Sequence, residues 1–466
     1  MLILYITYKG ESILSNLSMY EIVKILAPLK RDLVSDGFDQ SLDIISSQLD
    51  GFESYLYPTG TDRFTWTIPQ KWTCLEGRLE TIDHKLIFSY ADHPLHVMSY
   101  SQSIDKIVTR EELFKHLYTH RLPDAIPFKF SYYESTWGLC CSENVKSTLT
   151  ENTYHVVIKS RFTKGNLKIG QAVSDDSISG KKEFIICAHL CHPCQANDDV
   201  SGVAVGIGVM RELQKRKNLK YRYRLLIVPE TIGSISWLAS QAKCSLEYTV
   251  GGLFLEMLGL DNPHALQYSF AGDTNIDRCF KQAVKADNSA NWFGKFREVI
   301  CNDERQFNAP GIRIPMLSLS RVEHKYSKYA DGSRVWITGD GVPHVIPNPT
   351  YPYPEYHSSK DTIDIISKQS LEDSKNLVLS MIDTLERNIT PLNLFSGEVC
   401  CSKFGIHIDY YENPEGHKAL FDIMFLIDGT LSISQIADKL SIPFDSVYDV
   451  VMKLHEHDLV KLEVTK

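Results

Sequence analysis

Between residues 184 and 319 short apolar runs alternate with segments of helical periodicity, and this alternation restricts the fold more than any other feature of the chain. Strand-length runs at 184–188, 224–228, 249–256 and 316–319 are separated by helical patterns at 203–217, 234–242 and 277–286. A strand that re-enters its sheet through a helix must cross over, so the expected class is α/β, a mainly parallel sheet flanked by helices. Ligands then belong at the carboxyl ends of the strands.

Three changes of texture divide the 466 residues. Apolar residues at helical spacing over 19–49 predict two helices broken around Ser35-Asp36-Gly37, whereas the first 18 residues fit that pattern poorly, which makes Met19 a candidate start. Short aromatic, β-favouring runs between 64 and 153, with one helix at 110–120, read as a small β-rich domain inserted at 61–150. Its Tyr132, Tyr133 and Trp137 are expected in its core. The α/β domain then comprises 1–60 and 151–389. Helical runs at 416–427, 433–440 and 444–457 followed by a strand at 459–463 have the order of a winged helix-turn-helix, occupying 390–466.

Charge argues about partners. A net charge of -9 disfavours a nucleic-acid or anionic-membrane surface, and no apolar run reaches the ~18 residues of a membrane span. From 421 onward there are four Lys, no Arg and eight acidic residues, so the winged helix should repel phosphate. A protein partner or a second copy of the chain is the expected contact there. No secretory leader is evident, and eleven cysteines, an odd number, are simplest as reduced thiols in the cytoplasm.

The run Glu183-Phe-Ile-Ile-Cys-Ala-His189-Leu-Cys-His192-Pro-Cys-Gln-Ala-Asn-Asp198 carries a buried strand out into imidazoles and carboxylates. Glu230 follows the next strand, Glu256 closes Gly-Gly-Leu-Phe-Leu-Glu, and His357 lies beyond the last. A carboxylate ending such an apolar run is costly unless paired or metal-bound. His189 or His192, Asp198, Glu230, Glu256 and His357 are therefore the candidate ligands of one zinc ion or two. Cys187, Cys191 and Cys194 have the spacing of an iron–sulfur site, but that reading leaves the carboxylates unexplained.

The set resembles the leucyl-aminopeptidase-like zinc exopeptidases, whose pattern is a strand-end His, Asn-Asp-x-x-Ser-Gly, a Glu-Glu turn, Asp-Met-x-Gly and a late His-x-x-x-Asp. Asn197 to Gly202 and His357 to Asp361 match it. The resemblance implies that Asp198 bridges and His357 is a terminal ligand. Three departures stand out: Glu-Glu is Pro229-Glu230, Asp-Met-x-Gly begins with Glu256, and neither His189 nor His192 is followed by the Asp that would orient its ring. Of the two imidazoles His192 is preferred. Residues 19–466 are further similar to a bacterial family of aminopeptidase-like proteins with an inserted β-rich domain and a winged helix, sharing Thr65-Trp-Thr-Ile-Pro-Gln-Lys-Trp72 and Pro229-Glu-Thr-Ile-Gly-Ser234.

The implied activity is hydrolysis of a small peptide or amide by zinc-bound hydroxide, with Glu230 as general base. Two alternatives share the site: deacylation of a modified sugar or small amide, for which the family resemblance suggests polysaccharide biosynthesis, and a scaffold that binds zinc without turnover.

Overall fold

The computed structural model describes residues 16–174, 182–287, 291–322 and 352–464, with the short strands Ser327–Lys328, Arg334–Ile337 and Pro343–Ile346. The reading of the first 18 residues falls mostly outside these. Ser18 caps helix Met19–Leu26 in a reciprocal box with Glu21. The predicted break at 35–37 is the start of the next helix, Asp36–Ser46, capped by Ser35.

Two compact units make up the chain, one of residues Met1–Gln267 and Trp292–Lys375, the other of Tyr268–Asn291 and Asn376–Lys466. The first is built on an eight-stranded sheet in the order Glu53–Pro58, Asn166–Val173, Arg222–Val228, Glu183–His189, Thr249–Glu256, Met316–Ser320, Ala265–Gln267, Trp292–Gly294. The sheet is mixed. Its four central strands run parallel, as the alternation predicts, while Asn166–Val173 and Ala265–Gln267 pair antiparallel at the flanks. No helix separates Ala265–Gln267 from the strand before it in sequence, Thr249–Glu256, so the alternation does not dictate its direction.

Phe184 to Ala188 are all buried, the continuous apolar run expected of a strand covered on both faces. Helix Gly202–Lys215 packs on this part of the sheet and is apolar nearly all round, from Gly202 through Met210. Its first residue has no room for a side chain. A Cβ on Gly202 would lie 2.6 Å from the carbonyl oxygen of Leu255 in the neighbouring strand.

Between strands Glu53–Pro58 and Asn166–Val173 the chain forms a second, four-stranded sheet in the order Leu86–Ser89, Lys71–Glu80, Thr153–Thr163, Ile104–Thr109. Thr153–Thr163 is one of its central strands, so this sheet reaches past residue 150. The helix expected at 110–120 ends at Lys115. The expected aromatic core differs in detail: Tyr133 is 55% exposed, and Trp137 is half-buried, stacked on His116 at 4.1 Å. Both lie in extended loop rather than on a sheet face, which is why neither is enclosed.

In the second unit helices Pro414–Leu426, Ile433–Leu440 and Phe444–Glu456 enclose Leu420, Ile423, Ile436, Val447, Val451 and Leu454. Strand Val460–Val464 pairs with Ile389–Asn393. Helix Asn275–Ala286 packs on Ile433–Leu440, with Lys281 Nζ 2.8 Å from Asp438.

Gly202→Ala is expected to lower unfolding stability by about 1–3 kcal/mol, because the added methyl meets the Leu255 carbonyl, which no rotamer change relieves, and the Asp199 carboxylate, which three backbone N–H groups hold in place. Urea denaturation monitored by circular dichroism measures it; an unchanged midpoint would contradict the close approach.

Candidate metal centre

The motif Asn197-Asp198-Asp199-Val200-Ser201-Gly202 divides its polar side chains by task. Asp199 accepts backbone N–H bonds from His189 (3.3 Å), Gly202 (3.1 Å) and Met257 (3.0 Å), joining two strand ends to the start of the helix. Ser201 Oγ accepts from Leu258 N at 2.8 Å, and Asn197 Oδ1 from Gly259 N at 2.9 Å. Asp198 is left to face the imidazoles at close range, with Asp199 Oδ2 4.0 Å from His189 Nε2.

His189 Nε2 lies 2.9 Å from Asp198 Oδ1, His357 Nε2 lies 2.9 Å from Asp198 Oδ2, and His192 Nδ1 lies 3.8 Å from Asp198 Oδ1. His192 turns its other nitrogen to Glu230 Oε2 at 3.4 Å. Glu256 Oε1 is 4.0 Å from His189 Nε2 and accepts from Asn302 Nδ2. The structure thus gathers all six residues singled out from the sequence. Both imidazoles of the first loop are present, with His189 closer to Asp198 than His192.

A metal ion fits this donor set. Both ring nitrogens of His192, Nε2 of His357, Oδ2 of Asp198 and Oε2 of Glu256 are buried without a hydrogen-bond partner. Buried polar atoms are ordinarily satisfied, and a cluster of orphans with nitrogen and oxygen lone pairs is the donor chemistry zinc takes. Burial raises the Glu230 carboxyl, but the His192 imidazole 3.4 Å away outweighs it and holds the group at about 2. Burial, against the pull of His189 and with the push of Asp198 and Asp199, drives Glu256 well up.

Several residues that the sequence reading passed over position the candidate ligands. Arg31 is fully buried and directs its guanidinium to the carbonyls of Leu190 (2.9 Å), His192 (2.6 Å), Gln195 (2.8 Å), Ala27 (3.2 Å) and Leu26. Its five N–H groups meet five carbonyls. Asp361 accepts from the backbone N–H of Asn197 (2.7 Å) and Asp198 (3.1 Å) and from Tyr353 Oη (2.8 Å). The His357 loop is braced from residues 126–128: Phe128 N donates to His357 O at 2.7 Å and Ser359 N to Ile126 O at 2.8 Å. The Phe128 ring stands edge-on to both His192 and His357, with centroids 5.1 Å and 5.3 Å away.

Asp303 answers the missing Asp after His189. Its Oδ1 accepts from Thr231 N at 2.9 Å and from Ser234 Oγ, while Oδ2 lies 3.7 Å from His189 Nδ1. Both of those facing atoms are otherwise unpartnered. A carboxylate at this place would keep the proton on Nδ1 and leave Nε2 as the ligand atom. The only sequence signal was Asn302-Asp303-Glu304 itself, a polar run with no strand or helix pattern.

The cysteine spacing does not make a cluster. Cys191 Sγ accepts from Glu230 N at 3.0 Å, and Cys194 Sγ faces Pro28 O at 3.9 Å. No group of three cysteines converges among the described residues.

Asp303→Ala is expected to weaken zinc binding roughly 10–100-fold with the secondary structure intact, measured by competition with a chromogenic chelator. Arg31→Met should cost at least about 3 kcal/mol, since five buried carbonyls lose their donors; a cost below about 1 kcal/mol in denaturant titration would show that the 190–195 loop holds without it.

The chain is 30% identical over 454 residues to a Clostridium acetobutylicum protein named "Putative polysaccharide biosynthesis protein with aminopeptidase-like domain", covering 95% of this chain and 96% of that one. A crystal structure of a "putative peptidase" from Clostridium acetobutylicum superposes with a TM-score of 0.79 at 29% identity, over 95% of this chain and 96% of that chain. The fold is shared with the zinc aminopeptidase BSAP of Bacillus subtilis (TM-score 0.54, 13% identity, 78% of this chain and 93% of that one). It is shared too with a peptidase M28 precursor of Shewanella amazonensis (TM-score 0.53, 13% identity, 79% and 92%). The profile of a family described as a domain of unknown function, DUF4910, matches residues 20–334 and 341–388, and the chain belongs to that family.

Proposed function

We propose that this chain is a zinc-dependent amide hydrolase of the aminopeptidase type. The observation that carries the reading is the set of buried, unpartnered nitrogen and oxygen atoms of His192, Asp198, Glu256 and His357, gathered where the strands of a zinc-aminopeptidase fold end. His189, His192, Asp198, Glu256 and His357 would hold the metal. Zinc, when bound, supplies a Lewis acid and lowers the pKa of coordinated water to about 7.

The protein's own groups do the rest. Glu230 is the least enclosed of the carboxylates, its side chain 24% exposed against 2% for Glu256 and 1% for Asp198. It is placed to take a proton from an attacking water at one carboxylate oxygen and return it to the leaving nitrogen. Phe128 stands edge-on to His192, whose side chain is 1% exposed and shielded from bulk water, and Tyr356 stacks on His357 at 3.9 Å. Because Pro229 precedes Glu230, no second carboxylate shares this duty in the turn.

A small peptide or amide is the substrate class that this chemistry takes. The name of the Clostridium relative favours a second substrate for the same groups, an acylated amino sugar or small amide used in polysaccharide biosynthesis. In the second unit we read the three helices and strand pair as a winged helix that contacts protein rather than nucleic acid. Helix Phe444–Glu456 carries Asp445, Asp449 and Glu456, and Arg387 is already engaged with Asp445 at 2.7 Å. No helix among the described residues is long and apolar enough to cross a membrane. No disulfide joins the described cysteines, and we read the compartment as the cytoplasm.

Glu230→Gln is expected to lower kcat by about 10²–10⁴ while the protein still binds zinc, assayed on a panel of aminoacyl amides and N-acyl amino sugars. Full activity in this variant would remove the mechanism. Zinc binding by the wild type with no turnover of either substrate set would leave a metal-binding scaffold.

A further inference from the structure

The four-stranded sheet carries a second convergence of metal-binding groups, apart from the centre around Asp198. Glu80 and His155 are direct cross-strand partners, so both side chains leave the same face. Glu80 Oε1 lies 2.7 Å from His155 Nδ1 and 3.2 Å from His84 Nδ1, His84 reaching back from the turn that follows the Glu80 strand. The three donor atoms all lie within 4.8 Å of one another.

Two further contacts fix their orientation. Asp105 Oδ1 sits 2.7 Å from His155 Nε2, the far nitrogen of the ring. A carboxylate in that place holds the proton on Nε2 and aims the Nδ1 lone pair at the convergence point, the arrangement usual behind a metal-bound imidazole. Arg78 Nε holds Glu80 Oε2 at 3.1 Å, which leaves Oε1 for the two histidines. The Glu80 side chain is 9% exposed and that of His84 77%, so the carboxylate forms a floor and His84 the side open to solvent.

We propose that Glu80, His84 and His155 form a divalent metal site, taking zinc or a similar borderline ion through two imidazole nitrogens and one carboxylate oxygen, with water completing the shell. Tetrahedral zinc ligands at about 2.0–2.2 Å stand roughly 3.3 Å apart. His84 already fits that spacing against Glu80, and His155 has to draw back by roughly half an ångström. Two nitrogens and one oxygen suit zinc or copper and not magnesium or calcium, which prefer all-oxygen sets. The ion would tie the turn carrying His84 to strand Thr153–Thr163. The competing occupant of the same place is a proton shared by His155 and Glu80 as an ordinary ion pair.

Equilibrium dialysis of the metal-stripped full-length protein against zinc chloride separates the two, comparing wild type with His84→Ala and His155→Gln. Because His84 is mostly exposed, its removal leaves the sheet intact, which circular dichroism checks. We expect both variants to bind one zinc fewer per chain than the wild type, or to bind it at least tenfold more weakly, and the zinc-induced rise in Tm to shrink with it. Equal zinc content and affinity in the wild type and the folded His84→Ala protein would overturn the site and leave the proton as its occupant, without bearing on the Asp198 centre.

Discussion

The loop that leaves the His189 strand is buried, so its backbone groups must find partners inside the protein, and the candidate centre rests on how they do. A loop normally runs over the surface because water satisfies it. Here a guanidinium and a carboxylate replace water. Arg31 takes the carbonyls of Leu190, His192 and Gln195, and Asp361 takes the N–H groups of Asn197 and Asp198. A buried guanidinium and a buried carboxyl group thereby hold the carbonyl side of the loop and its N–H side. Burial lowers Arg31 only to about 10, which leaves it a cation at neutral pH.

With the loop fixed, rigidity passes to the candidate ligands. Asp199 ties the ends of the His189 and Glu256 strands to the helix start, so the donors come from elements that cannot move independently. His357 is the exception, a residue with φ of 54° on a loop, and it is steadied by backbone pairing to residues 126–128 and by the rings of Phe128 and Tyr356. The chain between the first two flanking strands therefore contributes directly to the geometry of the centre.

The departures from the aminopeptidase pattern acquire physical content in this setting. The Asp absent after His189 has a counterpart in Asp303, more than a hundred residues later in the chain, anchored on the turn that follows Glu230. Glu256 in place of a shorter Asp is met by Asn302, which donates to its Oε1. Adjacent residues of one segment thus support two ligands. Such support depends only on where a side chain ends in space, and a single sequence carries no mark of it.

Strand and helix order, the parallel centre of the sheet and the six candidate residues were legible because each has a local cause. A run such as Phe184 to Ala188 is apolar because it is covered on both faces, and a charged residue ending such a run is costly unless something binds it. The expected break around Ser35 likewise has a local cause, Ser35 capping helix Asp36–Ser46. The tertiary structure decided what local cause cannot reach: that His189 lies nearer Asp198 than His192 does, that Arg31, Asp303 and Asp361 brace the candidate ligands, and that the flanks of the sheet run antiparallel. Each of these depends on residues far apart in the chain meeting through packing, and periodicity, which reports only neighbours, is blind to it.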